Sequence, residues 1–327
     1  GVIRLKGCFK NMDKHYLNRL FEPKSVAVFG ASDRSGSVGN LVFKNMIEGD
    51  FAGEVYPINP KHDKVQGQKA YADLNSIGKP VDLVVITTPA STVPGIIESC
   101  GKYGIRAAVV ISAGFREVGA DGLKLEQALL ENARRYGLRF IGPNCLGIMR
   151  PGSGLNCTFN KGSATPGKIA LVSQSGALCT AILDWSAANR IGFSTVVSTG
   201  ISADTDFGDV LDYLVSDPET KSILLYIEGV HNARSFMSGL RAAARVKPVI
   251  ALKVGRHASG SKAAMSHTGA MVGSDDVFES ALRRAGVVRG LRIVDLFSAA
   301  TTLTSVLSVK GERLVIVTNG GGPGVMA

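Results

Sequence analysis

The stretch SVAVFG at residues 25–30 is a short, mostly apolar run that ends in glycine. A polar loop with several small residues follows, and a helical pattern then runs from about residue 38 to residue 48. A run that stops at glycine and leads into a helix is typical of the opening of a β-α-β unit. It predicts a buried strand of a parallel sheet.

The same pattern recurs along the first half of the chain. Further runs with β-branched residues end in Gly, Pro or Asn: GEVYPIN at 53–59, VDLVVITTP at 81–89, AAVVISAG at 107–114 and LRFIGPN at 138–144. Helical patterns separate them, for example at 92–103 and 122–136. Strands that alternate with helices predict an α/β fold with a parallel sheet.

The alternation restarts after a seam. Residues 150–167 (RPGSGLNCTFNKGSATPG) show little periodicity, which is typical of a linker. Strand patterns follow at 168–176, 193–200, 222–229 and 248–255, and a helical pattern at 177–189. We therefore predict one domain over 1–151 and a second over 164–310. The stretch RLVIVTNGGGPGVMA at 313–327 is interpreted as a strand, a turn and a helix start, so that 311–327 would open a third α/β domain of a longer chain.

The composition bounds the class of protein. The 327 residues include 37 Lys+Arg and 27 Asp+Glu, which gives a net charge of +10. A basic excess fits an anionic partner, either nucleic acid or a multiply phosphorylated small molecule, although charge by itself favours plain solubility. No zinc-finger spacing and no aromatic ribonucleoprotein motif is present, so we expect no nucleic acid partner.

The cysteines and the N-terminus indicate a cellular compartment. Five scattered cysteines form no CxxC pair, which indicates neither a disulfide framework nor a zinc site. The sequence has no signal-peptide core, and no apolar run approaches the ~20 residues that cross a bilayer. These features predict a cytoplasmic protein without a membrane partner. The absence of an initiator Met suggests an expressed fragment or a processed start.

Ligands of open parallel sheets bind beyond the carboxyl ends of the strands, so the loops there are candidate binding residues. The first loop runs from Gly30 to Gly39. Its small residues allow a phosphate to approach the backbone, and the N-terminus of the next helix supplies N–H donors. The loop matches neither a Walker motif nor a strict GxGxxG, and a glycine turn without a ligand is the alternative.

Further loops end the other predicted strands of this sheet: 57–61 (PINPK), 87–90 (TTPA), 112–115 (SAGF) and 142–145 (GPNC). Lys61 is placed to meet an anion, although a lone lysine is more often solvated. Because the loops converge on one edge of the sheet, they favour a long ligand that lies across it.

In the second domain, VSQSGA at 172–177 passes from a strand into a helix. The hydroxyls of Ser173 and Ser175 and the free N–H groups at that point suit a phosphate. Simple N-capping by either serine is an equally good interpretation.

The segment 260–274 holds the most reactive residue type, because His267 lies there between Ser266 and Thr268. It has no metal-ligand partner at helical spacing, which argues against zinc. Neutral imidazole is a good nucleophile toward phosphoryl groups, and a carboxylate on its second ring nitrogen would fix the tautomer. Glu228, at the end of a predicted strand, is the candidate carboxylate. A capped core histidine is the alternative.

Taken together, these segments resemble the ADP-forming acyl-CoA synthetases and, more distantly, the alpha subunit of succinyl-CoA synthetase. The resemblance runs in family order from about residue 22 to residue 310. Its pieces are SVAVFGAS (25–32), VYPINPK (55–61), ISAGF (111–115), IGPNCLGIM (141–149), LVSQSGAL (171–178), LLYIEGV (224–230) and KAAMSHTGAMVGS (262–274). It implies a Rossmann-like CoA-binding domain followed by a flavodoxin-like ligase domain.

The resemblance also implies roles for individual residues. In the first domain it implies that CoA is held, from its phosphates to its thiol end, by Gly30, Ala31, Ser32, Gly36, Ser37, Val38, Lys61, Thr88, Pro89, Ser112, Ala113, Gly114, Asn144 and Cys145. In the second domain it implies that His267 is transiently phosphorylated and that Glu228 steadies it. The phosphate would be received at the helix start by Ser173, Gln174, Ser175 and Gly176.

The reaction that the resemblance implies is reversible. Acyl-CoA, phosphate and ADP give the acid, CoA and ATP through an acyl phosphate and a phosphohistidine. ADP or ATP and magnesium would bind to an ATP-grasp module, either a partner subunit or a further part of the chain, and the assembly is expected to be an oligomer. The acyl group and the choice between ADP and GDP stay open.

One segment departs from the family pattern. Residues 200–204 read GISAD where the family often has Gly-Asn-x-Ala-Asp, so Ile201 replaces a polar residue near the expected acyl-phosphate site. This leaves an alternative, the CoA-responsive, synthetase-like half of a bacterial protein lysine acetyltransferase, although His267 favours the synthetase. A third interpretation is an NAD-dependent dehydrogenase, against which the second strand ends in PINPK without an acidic residue for a ribose hydroxyl.

Overall fold

The computed structural model describes residues 15–255, 275–304, 311–313, 315–319 and 321–326. His267 lies outside these residues. The described chain forms two α/β units, each built on a mainly parallel sheet with helices packed against it. This confirms the α/β fold class.

Within the described residues, the first sheet has five parallel strands in the order β2-β1-β5-β6-β7, and a short antiparallel ladder of β3 and β4 follows β2. The strands are β1 Ser25–Phe29, β2 Glu54–Ile58, β3 Lys64–Val65, β4 Gln68–Lys69, β5 Leu83–Ile86, β6 Ala107–Val110 and β7 Arg139–Ile141. All the strands predicted for this half are confirmed. They are apolar throughout because one apolar cluster packs on each face of the sheet.

Helices connect these strands as predicted. A short helix that was not predicted, α1 Asn18–Phe21, precedes β1. The connecting helices are α2 Val38–Glu48, α3 Val93–Tyr103 and α4 Ala120–Arg135, with 3₁₀ turns at Asn75–Ile77, Ala90–Thr92 and Arg116–Val118. The start of α2 is set by its cap, because Ser37 Oγ accepts a hydrogen bond from Asn40 N at 3.2 Å. At the end of α3, Gly104 adopts φ of 99°, the left-handed conformation that closes many helices.

The second sheet has seven strands within the described residues, in the order β14-β13-β12-β10-β11-β8-β9. The strands are β8 Gly147–Arg150, β9 Leu155–Thr158, β10 Pro166–Ser173, β11 Phe193–Ser198, β12 Ser222–Ile227, β13 Val249–Lys253 and β14 Val288–Gly290. β8 and β9 run antiparallel to their neighbours, and the others are parallel. The helices are α5 Gly176–Ala188, α6 Phe207–Ser216, α7 Ala233–Ala244, α8 Asp275–Ala285, α9 Ile293–Thr304 and α10 Gly321–Met326, with a 3₁₀ turn at Pro151–Ser153.

The predicted seam contains a strand. Leu155–Thr158 pairs with β8, and the side chains of Leu155 and Cys157 are completely buried. Expecting irregular structure over 155–158 was therefore wrong. A run of four residues is too short to show a period, and it becomes a strand because β8 supplies hydrogen-bond partners. The division of the chain into domains stays a prediction.

The strand predicted at the beginning of 313–327 is absent from the residues described there. Residues 315–318 have no regular structure, and Val315 and Val317 are 83% and 92% exposed. A strand needs a neighbour that accepts its N–H groups, and among the described strands none pairs with this stretch. Residues 315–318 therefore form no strand in this structure, and the third domain with its first strand stays a prediction.

The two sheets share an apolar interior. A single cluster of buried side chains includes Val28 of β1, Ile148 of β8, Val172 of β10 and Ile223 of β12. Because close-packed interiors transmit displacements, the two units are held in a defined relative position.

Candidate ligand cleft between the two sheets

Each sheet has a point at which the order of the strands reverses, so that the connections on the two sides run in opposite directions. In the first sheet β1 lies between β2 and β5, and in the second sheet β10 lies between β11 and β12. Ligands of open α/β sheets bind in the crevice beyond the strands at such a point. The loops there begin with Gly30 after β1, Thr87 after β5, Gln174 after β10 and Glu228 after β12.

A cavity of about 820 Å³, here called the cleft, lies between the two units. Its walls come from strand-end loops of the first sheet and from the start of α5. The residues predicted from sequence that line it are Val38, Thr88, Pro89, Ser112, Ala113, Asn144, Cys145, Gln174, Ser175 and Gly176. The fold therefore brings the candidate CoA residues and the candidate phosphate residues to one cavity.

A second cavity of about 550 Å³ adjoins the cleft. The predicted residues that line it are Gly30, Ala31, Ser32, Lys61, Thr88 and Pro89. Because Thr88 and Pro89 line both cavities, the two meet at the loop after β5. Both cavities lie along the carboxyl edge of the first sheet, where a long ligand could occupy the two of them.

Two glycines bring α2 close to the end of β1. Gly30 has φ of +87°, which favours glycine, and a Cβ on Gly39 would lie 1.8 Å from the carbonyl oxygen of Gly30. The helix start therefore packs directly on the strand end, as in folds that bind phosphate at this position. Gly36 and Ser37 lie outside the lining of both cavities, and Ser37 serves as the cap of α2.

Hydrogen bonds join the loops of the first sheet. Ser112 Oγ donates to the carbonyl oxygen of Thr88 at 2.5 Å, and Asn144 N donates to the carbonyl oxygen of Ser112 at 2.9 Å. Gly114 lies outside the lining of both cavities, and its N–H donates to the Glu117 carboxylate at 2.6 Å. The wall of the cleft is thus held in shape by bonds within the protein.

Cys145 is on the cleft wall as a neutral thiol. It is 5% exposed, and Sγ donates to the carbonyl oxygen of Val110 at 3.3 Å. Burial raises the pKa of Cys145 to about 12. Since the thiolate is the nucleophile, Cys145 has a lining role at neutral pH and not a covalent one.

The N-terminus of α5 opens on the cleft. Ser175 Oγ accepts from Leu178 N at 3.2 Å, so Ser175 caps the helix. Ser173 is completely buried, and its Oγ bonds both the N–H and the carbonyl of Ser175. The first N–H groups of a helix have no acceptor within it. Those of Gly176 and Ala177, both on the cleft wall, are thereby available to an anion.

Gln174 connects this helix start to Glu228. Gln174 Oε1 accepts from Glu228 N at 2.6 Å and from Gly229 N at 3.0 Å, while Nε2 donates to the carbonyl oxygen of Gly229 at 2.8 Å. Glu228 is 7% exposed. The pKa of Tyr226 is raised to about 12, first by the burial of the tyrosine and then by the negative charge of Glu228. The carboxylate predicted to steady a histidine thus lies on the turn bonded to the start of α5, while His267 itself is outside the described residues.

Ile201 has a packing role. Its side chain is 4% exposed and belongs to an apolar cluster of the first sheet. Its N–H donates to the carbonyl oxygen of Pro143 at 3.0 Å, and Ala203 N donates to that of Gly142 at 3.1 Å. The loop after β11 is therefore inserted into the first unit, and an apolar residue at 201 fits the core that receives it.

Some cleft residues escaped the sequence analysis. Arg34, Phe159 and Thr180 line the cleft without having been singled out. Arg34 had a signal, since it is a basic residue in the first glycine loop. Phe159 and Thr180 had none, because they reach the cleft only through the arrangement of the two units around it.

The described residues limit other kinds of site. In this part of the chain, no group of three or more His, Cys, Asp or Glu side chains is placed to hold a metal ion. No helix in the same residues has the length and apolar character needed to cross a membrane. The cysteines described, Cys100, Cys145, Cys157 and Cys179, are free and buried.

Comparison with known families identifies both units. Residues 24–151 match the model of a CoA binding domain, and residues 166–303 match that of a succinyl-CoA ligase like flavodoxin domain. These matches confirm the predicted Rossmann-like CoA-binding domain and the flavodoxin-like domain after it. A CoA-binding match argues against the dehydrogenase interpretation.

Similar proteins cover nearly the whole chain. It is 44% identical to subunit alpha of the ADP-forming acetate–CoA ligase I of Pyrococcus furiosus, over 95% of this chain and 68% of that protein. It is 46% identical to the ADP-forming acetate–CoA ligase I of Archaeoglobus fulgidus, over 95% of this chain but 45% of that protein. The chain thus spans less than half of the latter.

A solved structure agrees with these relatives. The dinucleotide-forming acetyl-coenzyme A synthetase 1 of Ca. Korarchaeum cryptofilum, in complex with phosphate and ADP, superposes with a TM-score of 0.90 at 40% identity, over 94% of this chain and 67% of that chain. The relatives named here are ligases or synthetases and lend no support to the acetyltransferase alternative. The chain belongs to the family of the ADP-forming acyl-CoA ligases that includes these alpha subunits.

Proposed function

We propose that this chain is the CoA-binding and phosphohistidine-carrying part of an ADP-forming acyl-CoA synthetase, which interconverts acyl-CoA, phosphate and ADP with the acid, CoA and ATP. The observation that carries the proposal is the shared cleft. Gly176 and Ala177 at the start of α5 line the same cavity as Thr88, Ser112 and Asn144 of the CoA-binding domain. A phosphate held by α5 and a thioester held by the first domain would therefore meet.

CoA would lie along the two joined cavities. Its phosphates would bind at the start of α2, at Gly30, Ala31, Ser32 and Val38, where the backbone N–H groups and the helix dipole favour anions. Gly36 and Ser37, which lie outside the cavity lining, would form the turn into the helix that presents these groups. Lys61 and Arg34, on the walls of the two cavities, would add positive charge. The pantetheine arm would follow Thr88, Pro89, Ser112 and Ala113, with Gly114 in the loop that carries the last two, and the thiol would lie near Asn144 and Cys145.

The chemistry would proceed in three displacements. A phosphate oxygen attacks the thioester carbon, and CoA leaves as the thiolate. A ring nitrogen of His267 attacks phosphorus of the acyl phosphate, and the carboxylate of the acid leaves. An oxygen of ADP then attacks phosphorus of phosphohistidine, and the imidazole leaves as ATP forms.

The residues of the second unit would support these steps in different ways. The N–H groups of Gly176 and Ala177 would stabilise negative charge on the phosphoryl oxygens, within the loop of Ser173, Gln174, Ser175 and Gly176. Glu228 would accept a hydrogen bond from the second ring nitrogen of His267, which fixes the tautomer and the ring orientation.

The nucleotide would bind outside these residues. ADP or ATP and magnesium belong on an ATP-grasp domain or partner subunit, and magnesium there would neutralise charge on the transferred phosphoryl group. The greater length of the relatives leaves room for such a part. We place the enzyme in the cytoplasm, because the free thiols of the described cysteines fit a reducing compartment. We also expect it to be part of an oligomer.

The relay is tested by phosphorylation. The protein is mixed with its ATP-grasp part, magnesium and ATP labelled in the γ-phosphate, and acid-labile label on the chain is counted. We expect label in the wild type and none in His267→Ala. The label should leave the wild-type chain when the carboxylic acid substrate and CoA are added. Label that persists at the wild-type level in His267→Ala would contradict the proposed mechanism.

The ligand is tested separately by titration calorimetry with CoA and with NAD. We expect CoA to bind and NAD to give no heat of binding. Tight binding of NAD without binding of CoA contradicts the proposal at the level of the first domain.

A further inference from the structure

Gln174 is a polar side chain enclosed by protein. It is 5% exposed and directly follows β10, whose last residue pairs with Tyr226 of β12. The N–H of Gln174 donates to the carbonyl oxygen of Tyr226 at 3.2 Å and so extends the ladder by one bond. Beyond this point the Gln174 side chain bridges the two strands in place of the backbone.

The bonds of the side chain nearly exhaust its capacity. A primary amide has one oxygen with two lone pairs and one nitrogen with two hydrogens. Gln174 Oε1 accepts two backbone N–H groups, from Glu228 and Gly229, and Nε2 donates one hydrogen to the Gly229 carbonyl. The orientation of the amide is set by these partners, because two donors require the oxygen and one carbonyl requires the nitrogen.

This geometry points to a role different from that of a phosphate ligand. We infer that Gln174 is a positioning residue that holds the Glu228–Gly229 turn against the start of α5. The inference rests on the proposed function, in which Glu228 orients the histidine that receives the phosphoryl group. Because the turn and the helix start are bonded through one side chain, the carboxylate and the phosphate cradle keep a constant separation.

The two side chains of similar length, methionine and glutamate, do not reproduce the three bonds. Methionine has nearly the same length, but it leaves two buried N–H groups and one carbonyl without their partner. Glutamate accepts both N–H groups, but it cannot donate to Gly229 and places a second negative charge beside Glu228. The two substitutions therefore separate the hydrogen bonds from the charge.

The first experiment measures hydrogen exchange of the full-length protein. In Gln174→Met we expect the amides of Glu228 and Gly229 to exchange about tenfold faster or more, with the amides of β5 unchanged. In Gln174→Glu, which keeps the acceptor for both N–H groups, we expect both amides to stay protected, and loss of their protection in this variant also overturns the inference. Gln127→Met on the exposed face of α4 is the matched control and leaves both sites unchanged. Unchanged protection in a folded Gln174→Met overturns the inference.

The second experiment separates positioning from binding in the complete enzyme. We expect Gln174→Met to lower kcat while the KM for inorganic phosphate stays at its wild-type value, because the cradle of Gly176 and Ala177 is intact. A raised KM for phosphate with kcat preserved assigns Gln174 as a ligand and overturns the inference. Failure of the proposed function would give a different result. In the phosphorylation experiment His267 of the wild type would carry no label, while the hydrogen-exchange result would be unchanged.

Discussion

The backbone N–H of Ile201 donates to the carbonyl oxygen of Pro143 at 3.0 Å, and this bond ties the loop after β11 to the end of β7. The Ile201 side chain is buried in the apolar cluster of the first sheet. This hydrogen bond and the buried side chain therefore hold together, next to the cleft, the two units that carry different parts of the proposed reaction. The position at which the sequence departs from the family pattern is a packing position between them.

Replacing Ile201 tests this packing. Ile201→Ala removes a buried branched side chain and leaves a cavity, so we expect the free energy of unfolding to fall by about 3 kcal/mol. Urea unfolding followed by circular dichroism measures it. Val118→Ala is the matched control, since Val118 is 67% exposed and its replacement is expected to change little. Equal effects of the two substitutions contradict the packing role.

Two glycine-to-alanine substitutions are expected to change the free energy of unfolding in opposite directions, because Gly39 of α2 packs against the end of β1 and Gly95 of α3 has open space around it. In Gly39→Ala the added Cβ meets the Gly30 carbonyl oxygen at 1.8 Å, so α2 must shift, and we expect a loss of about 2 kcal/mol with weaker CoA binding. In Gly95→Ala of α3 the added Cβ meets nothing within 4 Å, and better helix propensity is expected to stabilise by about 0.5 kcal/mol. Thermal unfolding and calorimetry with CoA measure both. Tolerance of Gly39→Ala with normal binding is the contrary result.

The buried pair of Arg150 and Asp217 predicts a pH dependence. Burial by itself raises the pKa of Asp217, but hydrogen bonds from Arg150 and Thr220 outweigh it and leave the pKa below its usual value. A lowered pKa in the folded state gives stability that is present above the unfolded value of about 3.9 and is lost as the pH falls through the folded value. Asp217→Asn leaves the Arg150 charge buried without its ion partner, which is expected to cost about 3 kcal/mol at pH 7.

Unfolding in urea at a series of pH values from neutral to acid measures this contribution. We expect Asp217→Asn to be less stable than the wild type at pH 7 and to lose less stability on acidification. Glu219→Gln, which removes an exposed ion pair with Lys168, is the control and is expected to change little. Parallel acid limbs for the wild type and Asp217→Asn would show that this carboxylate is not responsible.

The charge of Lys61 is expected to matter for CoA. Lys61 lines the second cavity beside Gly30 and Ser32. Lys61→Ala should weaken CoA binding about tenfold, as for loss of one hydrogen bond to a charged group, and the effect should shrink as salt is added. Lys64→Ala removes the same charge from an exposed position of β3 and is expected to leave binding unchanged. Equal weakening by both substitutions would assign the effect to net charge.

Much of the site could be predicted because strand-end loops are local features. Runs that close with Gly, Pro or Asn placed the loops after β1, β5, β6 and β7 at one edge of a parallel sheet, and most of the predicted residues line the two cavities. Gly36, Ser37 and Gly114 do not, although they are in the same loops. The sequence places a loop at a sheet edge, but the turns of its backbone decide which residues reach the cavity.

Other features depend on partners far away in the chain. The strand at 155–158 exists through its pairing with β8, and among the described residues 315–318 form no strand, since no neighbour pairs with them. Gln174 illustrates the same point at the level of one side chain. Its motif suggested a phosphate ligand, whereas its bonds go to residues 54 and 55 positions later.

The amino-acid sequence by itself determined the α/β class, most of the elements and the loops that carry small, polar and basic residues, because hydrophobic period and turn chemistry act over a few neighbouring residues. The order of the strands, the insertion of Ile201 into the first unit and the bonding of Gln174 to the Glu228 turn were decided only in the tertiary structure. Each depends on packing and hydrogen bonding between segments that are far apart in the sequence and meet only in the folded chain.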